Sequence, residues 1–183
     1  MSTDISDINW LYEKYYKDNP QLRRIVLIHS RMVAKKALEI ADKKNLDLNK
    51  KEIFCAALLH DIGVVKCNAP DIGAFGESPY LMHGLIGKEM LENHHLYKFA
   101  KVCERHTGSG ITANEIKQHK LPLPLNDMLP VSLLEKLICY ADKFFSKSKD
   151  LTKEKDITVI MQQMKNLGEQ PFKRFMLLHS LFS

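Results

Sequence analysis

No run in this 183-residue chain approaches the ~20 consecutive apolar residues that a membrane-spanning helix needs. No membrane partner is therefore expected. The segment from Met1 to Trp10 is polar and acidic, which excludes the apolar core of a secretory leader. The expected compartment is the cytoplasm. Cysteine is scarce. The four thiols, Cys55, Cys67, Cys103 and Cys139, form no C-x-x-C pair, which argues against a zinc knuckle or a redox dithiol. Three of them sit in apolar helical stretches, so buried reduced thiols are expected. Cys103 and His106 make a C-x-x-H, half of a zinc site with no second half following it. Strand-like alternation and Asn-Gly hairpin signals are also missing. Basic residues form no stripe and no aromatic platform interleaves them, so nucleic acid is not an expected partner. The net charge of +5 is mild and suits a phosphate-bearing ligand.

What is present reads as helix nearly throughout, and the expected fold class is all-α: a compact helical bundle forming one domain over residues 1–183. Ser6 to Lys17 is a short amphipathic helix. Asn19 can cap the next helix, with Pro20 at its first position. That helix runs to about Asn45 and shows Leu22, Ile25, Val26, Val33, Ala37 and Ile40 on one face. Asn49 and Glu52 open a third helix, whose run Ile53 to Leu59 is apolar enough for the middle of a core. Val64 to Met82, with Pro70, Gly73, Gly76 and Pro79, reads as a long irregular loop, a feature that is often functional. Helices follow from His83 to about Asn93 and from Leu96 to His106. Thr112 with Glu115 caps a short one, and Ser132 with Glu135 caps the helix carrying Asp142. Lys153 to Asn166 and Pro171 to Phe182 close the chain. The core is expected over 22–147, with the helices at 6–17 and 153–182 packed on it. A homodimer through the terminal helices is left open.

Polar residues on apolar faces carry the functional signal, because positions three and four apart share a helical face. His29 has Ile25, Val26 and Val33 as such neighbours; His60 has Ala56 and Ala57; His83 has Ile86 and Gly87; His106 has Val102 and Cys103; Asp142 has Ile138 and Phe145. A lone inward histidine is ordinarily a hydrogen-bonded core residue. A buried carboxylate must be paired, protonated or bound to metal. No Arg or Lys shares the face of Asp142, since Lys143 is expected about 100° away around the helix. Five inward polar groups on separate helices, with Asp61 beside His60, suit one or two divalent ions in a bundle core. His179 also lies on an apolar face and is read as packing, while His94, His95 and His119 read as surface residues.

The order His29, His60-Asp61, Asp142 resembles the signature of the HD-domain metal-dependent phosphohydrolases. The motifs are Leu58-Leu59-His60-Asp61-Ile62-Gly63 and Cys139-Tyr140-Ala141-Asp142-Lys143. His83, in Met82-His83-Gly84, and His106, in Glu104-Arg105-His106-Thr107, match the additional histidines of a subgroup that can hold two metals. The resemblance covers roughly 22–147. It departs at Val64, where many relatives have lysine, and the GYP elements of the cyclic-dinucleotide phosphodiesterases are absent. It implies an HD-domain bundle and hydrolysis of a nucleotide or other small phosphate ester, with His60 and Asp61 as the central catalytic pair. It implies that His29, His60, Asp61 and Asp142 hold one ion (Mn, Fe, Co, Ni, Mg or Zn), and that Asp61 bridges to a second held by His83 and His106. Lys66 and Arg105 are the candidates for substrate phosphate. Two alternatives remain at this stage: an HD-type di-iron oxygenase, which uses the same residues, and a non-catalytic metal- or nucleotide-binding module.

Overall fold

A computed structural model describes residues 5–147 and 150–183; residues 1–4 of the acidic first segment lie outside the described residues. The helices are α1 (Ile5–Tyr16), α2 (Pro20–Lys43), α3 (Lys50–Leu59), α4 (His83–Glu92), α5 (Tyr97–Arg105), α6 (Ala113–His119), α7 (Leu133–Asp142), α8 (Ile157–Leu167) and α9 (Glu169–Phe182). The capping residues act as the sequence implies. Asn19 Oδ1 accepts from the Leu22 amide, Asn49 Oδ1 from Lys51 and Glu52, and Thr112 and Glu115 form a reciprocal box. Asn19 does a second job, since its Nδ2 donates to the Gly73 carbonyl at 2.7 Å and ties the 64–82 segment to the start of α2.

The long apolar run predicts a central helix, and α3 is one: Ile53, Cys55, Ala56, Ala57, Leu58 and Leu59 are all buried. It packs against α1, α2, α5 and α7. Leu22, Val26, Val33, Ala37 and Ile40 face this core from α2, while Ile25 stands at its margin. From α7, Leu134, Leu137, Ile138, Cys139 and Ala141 close the other side. Tyr12 donates to the Leu58 carbonyl at 2.6 Å, and Tyr16 to that of Ile62 at 3.1 Å. The short α1 thus clamps the backbone on either side of His60-Asp61.

The all-α expectation needs one correction. Residues 67–79 hold a small sheet: β1 (Cys67–Ala69) pairs antiparallel with β2 (Ala74–Phe75) and parallel with β3 (Ser78–Pro79). Strands of two or three residues are too short to show alternation, which is why periodicity misses them. The rest of 62–82 is mostly 3-10 turns, at Ile62–Lys66, Pro70–Ile72 and Tyr80–Met82. Among the described residues no helix is long and apolar enough to cross a membrane.

Candidate metal centre

His29 projects from the middle of α2. His60 and His106 cap the C-terminal ends of α3 and α5, His83 opens α4, and Asp142 ends α7. The last carbonyls of a helix lack intrahelical donors, and the histidines exploit this. His60 Nδ1 lies 2.6 Å from the Ala57 carbonyl, and His106 Nδ1 lies 2.8 Å from that of Cys103. His83 Nδ1 makes the same contact with Tyr80 at 2.7 Å. A carbonyl only accepts, so each Nδ1 carries a proton, and each ring, when neutral, presents the lone pair of Nε2 to the interior.

These Nε2 atoms converge on Asp61, which is fully buried together with His60. Asp61 Oδ2 stands 3.0 Å from His60 Nε2 and 3.2 Å from His29 Nε2. Asp61 Oδ1 stands 3.4 Å from His106 Nε2 and 3.5 Å from His83 Nε2. Asp142 Oδ1 completes the first side, 2.9 Å from His29 Nε2 and 3.4 Å from His60 Nε2. Two donor groups result: His29, His60, Asp61 and Asp142, and Asp61, His83 and His106. Within each, the potential ligand atoms lie within 4.8 Å of one another.

The donor set fits a cation. His83 Nε2 and His106 Nε2 are 2.9 Å apart. With both Nδ1 atoms protonated, two lone pairs face each other beside a carboxylate oxygen, an arrangement that only a shared proton or a positive ion stabilises. His60 Nε2 and Asp61 Oδ1 are buried without a partner in hydrogen-bond geometry, a costly state for polar atoms in a dry interior, while Asp61 Oδ2 has the Lys147 ammonium at 2.6 Å. A buried His/Asp cluster of this composition suits a divalent metal.

The electrostatics agree. Burial would raise the Asp61 carboxyl, but His60 and Lys147 hold it well below the usual carboxylate range. Burial likewise opposes ionisation of Asp142, and Lys143, His29 and His60 overcome it. Burial and the His106 ring push the His83 imidazole down to about 3. Burial would lower His60, yet Asp61 and Asp142 lift it to about 9. Metal loading at pH 7 therefore has to displace a proton from His60, because only the neutral ring ligates. Apparent affinity is expected to rise with pH up to about 9, and His83, neutral above about 3, adds no such dependence. In the metal-free protein the linkage has the opposite sense: the stabilising contribution of His60 is complete below about 6.5 and fades as pH rises towards 9. Metal titrations by calorimetry in two buffers of different ionisation enthalpy count the protons; no release at pH 7 contradicts this expectation.

A cleft of about 460 Å³ opens beside Asp142, walled by Ile72, Tyr80, Lys143, Lys147 and Lys155 among others. Part of the 64–82 segment thus forms its side. The structure brings neither phosphate candidate to this cleft. Lys66 is exposed at the end of a 3-10 turn. Arg105 points its guanidinium at Glu135, 2.9 Å away, and lies 3.5 Å from Glu104. The cations at the centre are others. Lys147 Nζ reaches to 2.6 Å from Asp61 Oδ2, and Lys143 Nζ to 2.7 Å from Asp142 Oδ2. The 100° argument fails for Lys143 because α7 ends at Asp142 and the long side chain folds back over the helix end. No spacing signal marks Lys147, which the chain returns to the centre only after leaving α7. Cys103 donates to the Leu59 carbonyl at 3.1 Å, a thiol-to-backbone bond rather than a metal half-site. All four cysteines are buried thiols outside any disulfide. His179 makes a 2.8 Å bond with the Tyr140 hydroxyl and stacks on Phe175, as packing requires.

Comparison with known proteins agrees with this geometry. The profile of the HD domain matches residues 26–146. A protein of Picrophilus torridus named tRNA (cytidine(56)-2'-O)-methyltransferase is 32% identical over 123 residues, 67% of this chain and 32% of its own length. An uncharacterized protein of Methanocaldococcus jannaschii is 31% identical over 160 residues, 84% of this chain and 85% of its own. A Thermoplasma volcanium protein with the same methyltransferase name is 28% identical over 156 residues, 85% of this chain and 41% of its own. The chain thus spans well under half the length of either methyltransferase. No solved structure matches at a comparable level.

Proposed function

The chain belongs to the HD domain family, and from that premise we propose that it is a metal-dependent phosphohydrolase acting on a nucleotide or other small phosphate ester. The observation that carries the reading is the cleft. It opens on Asp142, one carboxylate of the cage, and is lined by Lys143, Lys147 and Lys155, so the edge of the cage meets a cationic wall. Such a wall suits an anionic substrate.

In this reading His29, His60, Asp61 and Asp142 would hold one divalent ion, and Asp61, His83 and His106 would hold another. A divalent ion bound by these residues would supply Lewis acidity for activating water and a phosphoryl oxygen. The protein's own residues do the rest. The Nδ1 bonds of His60, His83 and His106 keep each ring in the tautomer and orientation that ligation needs. Lys143 and Lys147 place fixed positive charge where charge builds on the transferring phosphoryl group. Tyr80, against the His83 ring at a centroid distance of 4.8 Å, screens that side of the cage. Hydrolysis breaks the bond from phosphorus to the leaving oxygen, adds water's oxygen to phosphorus, and releases an alcohol and a phosphate.

The two methyltransferase relatives suggest a second reading, RNA methyl transfer, but their name belongs to much longer proteins. The same ligand residues would also serve an oxygenase. One experiment separates these: protein loaded in turn with Mn, Co, Ni, Fe and Mg, assayed for phosphate release from a panel of phosphate esters, for oxygen consumption, and for methyl transfer from S-adenosylmethionine to tRNA. Phosphate release is expected. Oxygen uptake or methylation without it overturns the reading, and a fully loaded protein inert in all three assays points to a structural metal.

A further inference from the structure

We propose that Lys155 binds a second anionic group of the substrate, so that the cleft selects compounds carrying two linked phosphates over those carrying one. The inference rests on the phosphohydrolase reading and deepens it. Lys143 and Lys147 are already committed to the cage. Lys147 pairs with Asp61 at 2.6 Å; Lys143 pairs with Asp142 at 2.7 Å and donates to the His106 carbonyl at 3.1 Å. Both stand at the centre, where the proposed phosphoryl group would be seated.

Lys155 lies in the same cleft but is differently placed. Its backbone amide donates to the Phe144 carbonyl at 2.8 Å, which pins residue 155 against the chain just after α7. Among the described residues its ammonium makes no ion pair, with Asp61 and Asp142 included, although its residue is only partly exposed. Burial and the like charges of Lys143 and Lys147 depress its pKa, with Asp142 opposing. A half-buried cation beside two others, without a carboxylate of its own, is an unfavourable arrangement that an added anion relieves. Because no cage carboxylate forms an ion pair with Lys155 among the described residues, its ammonium is open to an anion other than the one seated at the cage. Gln163 lines the same cleft and offers an amide donor, and Asp71 is the other acid in the lining. The volume of about 460 Å³ accommodates more than a single phosphate. Lys155 lies beyond residue 146, where the match to the HD domain ends.

The test is calorimetric titration of the metal-loaded protein with two non-hydrolysable probes, methylphosphonate and methylenediphosphonate. The two-group probe is expected to bind at least about tenfold more tightly, a difference of about 1.4 kcal/mol. Lys155→Met is expected to abolish most of that gap, and Lys155→Arg to preserve it. A gap that survives Lys155→Met, or equal weakening of both probes, overturns the proposal. Wild-type protein that binds methylphosphonate without preferring the two-group probe overturns it too, with the phosphohydrolase reading left standing. Failure of both probes to bind the loaded wild type removes that reading as well. The comparison within the wild type holds even where a variant fails to fold.

Discussion

Asp61→Asn protein is expected to retain neither bound metal nor phosphohydrolase activity. Asp61 is the residue common to both donor groups, so its loss strips a ligand from each at once. Asn keeps the shape and removes the charge. Only one of its two terminal atoms is an acceptor, so it cannot present oxygen to His29 and His60 on one side and to His83 and His106 on the other. The effect extends beyond the metal. Burial without the carboxylate leaves His60 facing Asp142 alone, so its pKa is expected to fall from about 9. Lys147 would lose its partner at 2.6 Å and keep a cation with no counter-charge beside the cage. Removing an outer-shell partner typically costs 10–100-fold in affinity or activity, so loss of this shared ligand is expected to exceed about 100-fold. Elemental analysis of the purified variant, beside a turnover assay, decides it. Full metal occupancy in Asp61→Asn would show that the ion does not sit on this carboxylate.

Gly63→Ala is the second large effect, and its cause is steric. A Cβ on Gly63 would lie 2.1 Å from the His83 carbonyl oxygen and 2.4 Å from the Gly87 amide nitrogen. Both are backbone atoms of α4, so no side chain can swing away, and the helix itself has to move. Because His83 is the first residue of α4, that movement carries its imidazole away from Asp61 and His106. Overpacking of this kind costs about 1–3 kcal/mol, occasionally more. At this chain length that corresponds to roughly 2–12 °C in Tm. The expected pattern is a lower Tm together with selective loss of metal binding at the proposed His83/His106 site, while the group around His29 and Asp142 still loads. Thermal melts paired with metal stoichiometry measure both. An unchanged Tm with two ions bound would mean that the close approach of the 62–66 turn to α4 is not required.

Much of this protein follows from local rules. Asn19, Asn49, Thr112 and Ser132 start their helices in the structure because capping is a contact between residues two or three apart. His29, His60, His83, His106 and Asp142 stand inward because helical spacing alone determines which face a residue occupies. The His-Asp order along the chain determines the family. Three-dimensional proximity decided the remainder, since it joins residues that no local spacing relates. The sharing of Asp61 between two donor groups depends on which oxygen meets which ring, and that is set by how α2, α3, α4 and α5 cross. Lys147 reaches the centre, and Lys155 the cleft beside it, only because the chain turns back after α7, and Arg105 is held by Glu135, 30 residues away. The sheet in 67–79 arises from pairing between short segments, not from any pattern within them. Periodicity therefore determined the ligands, and packing determined the cations that surround them.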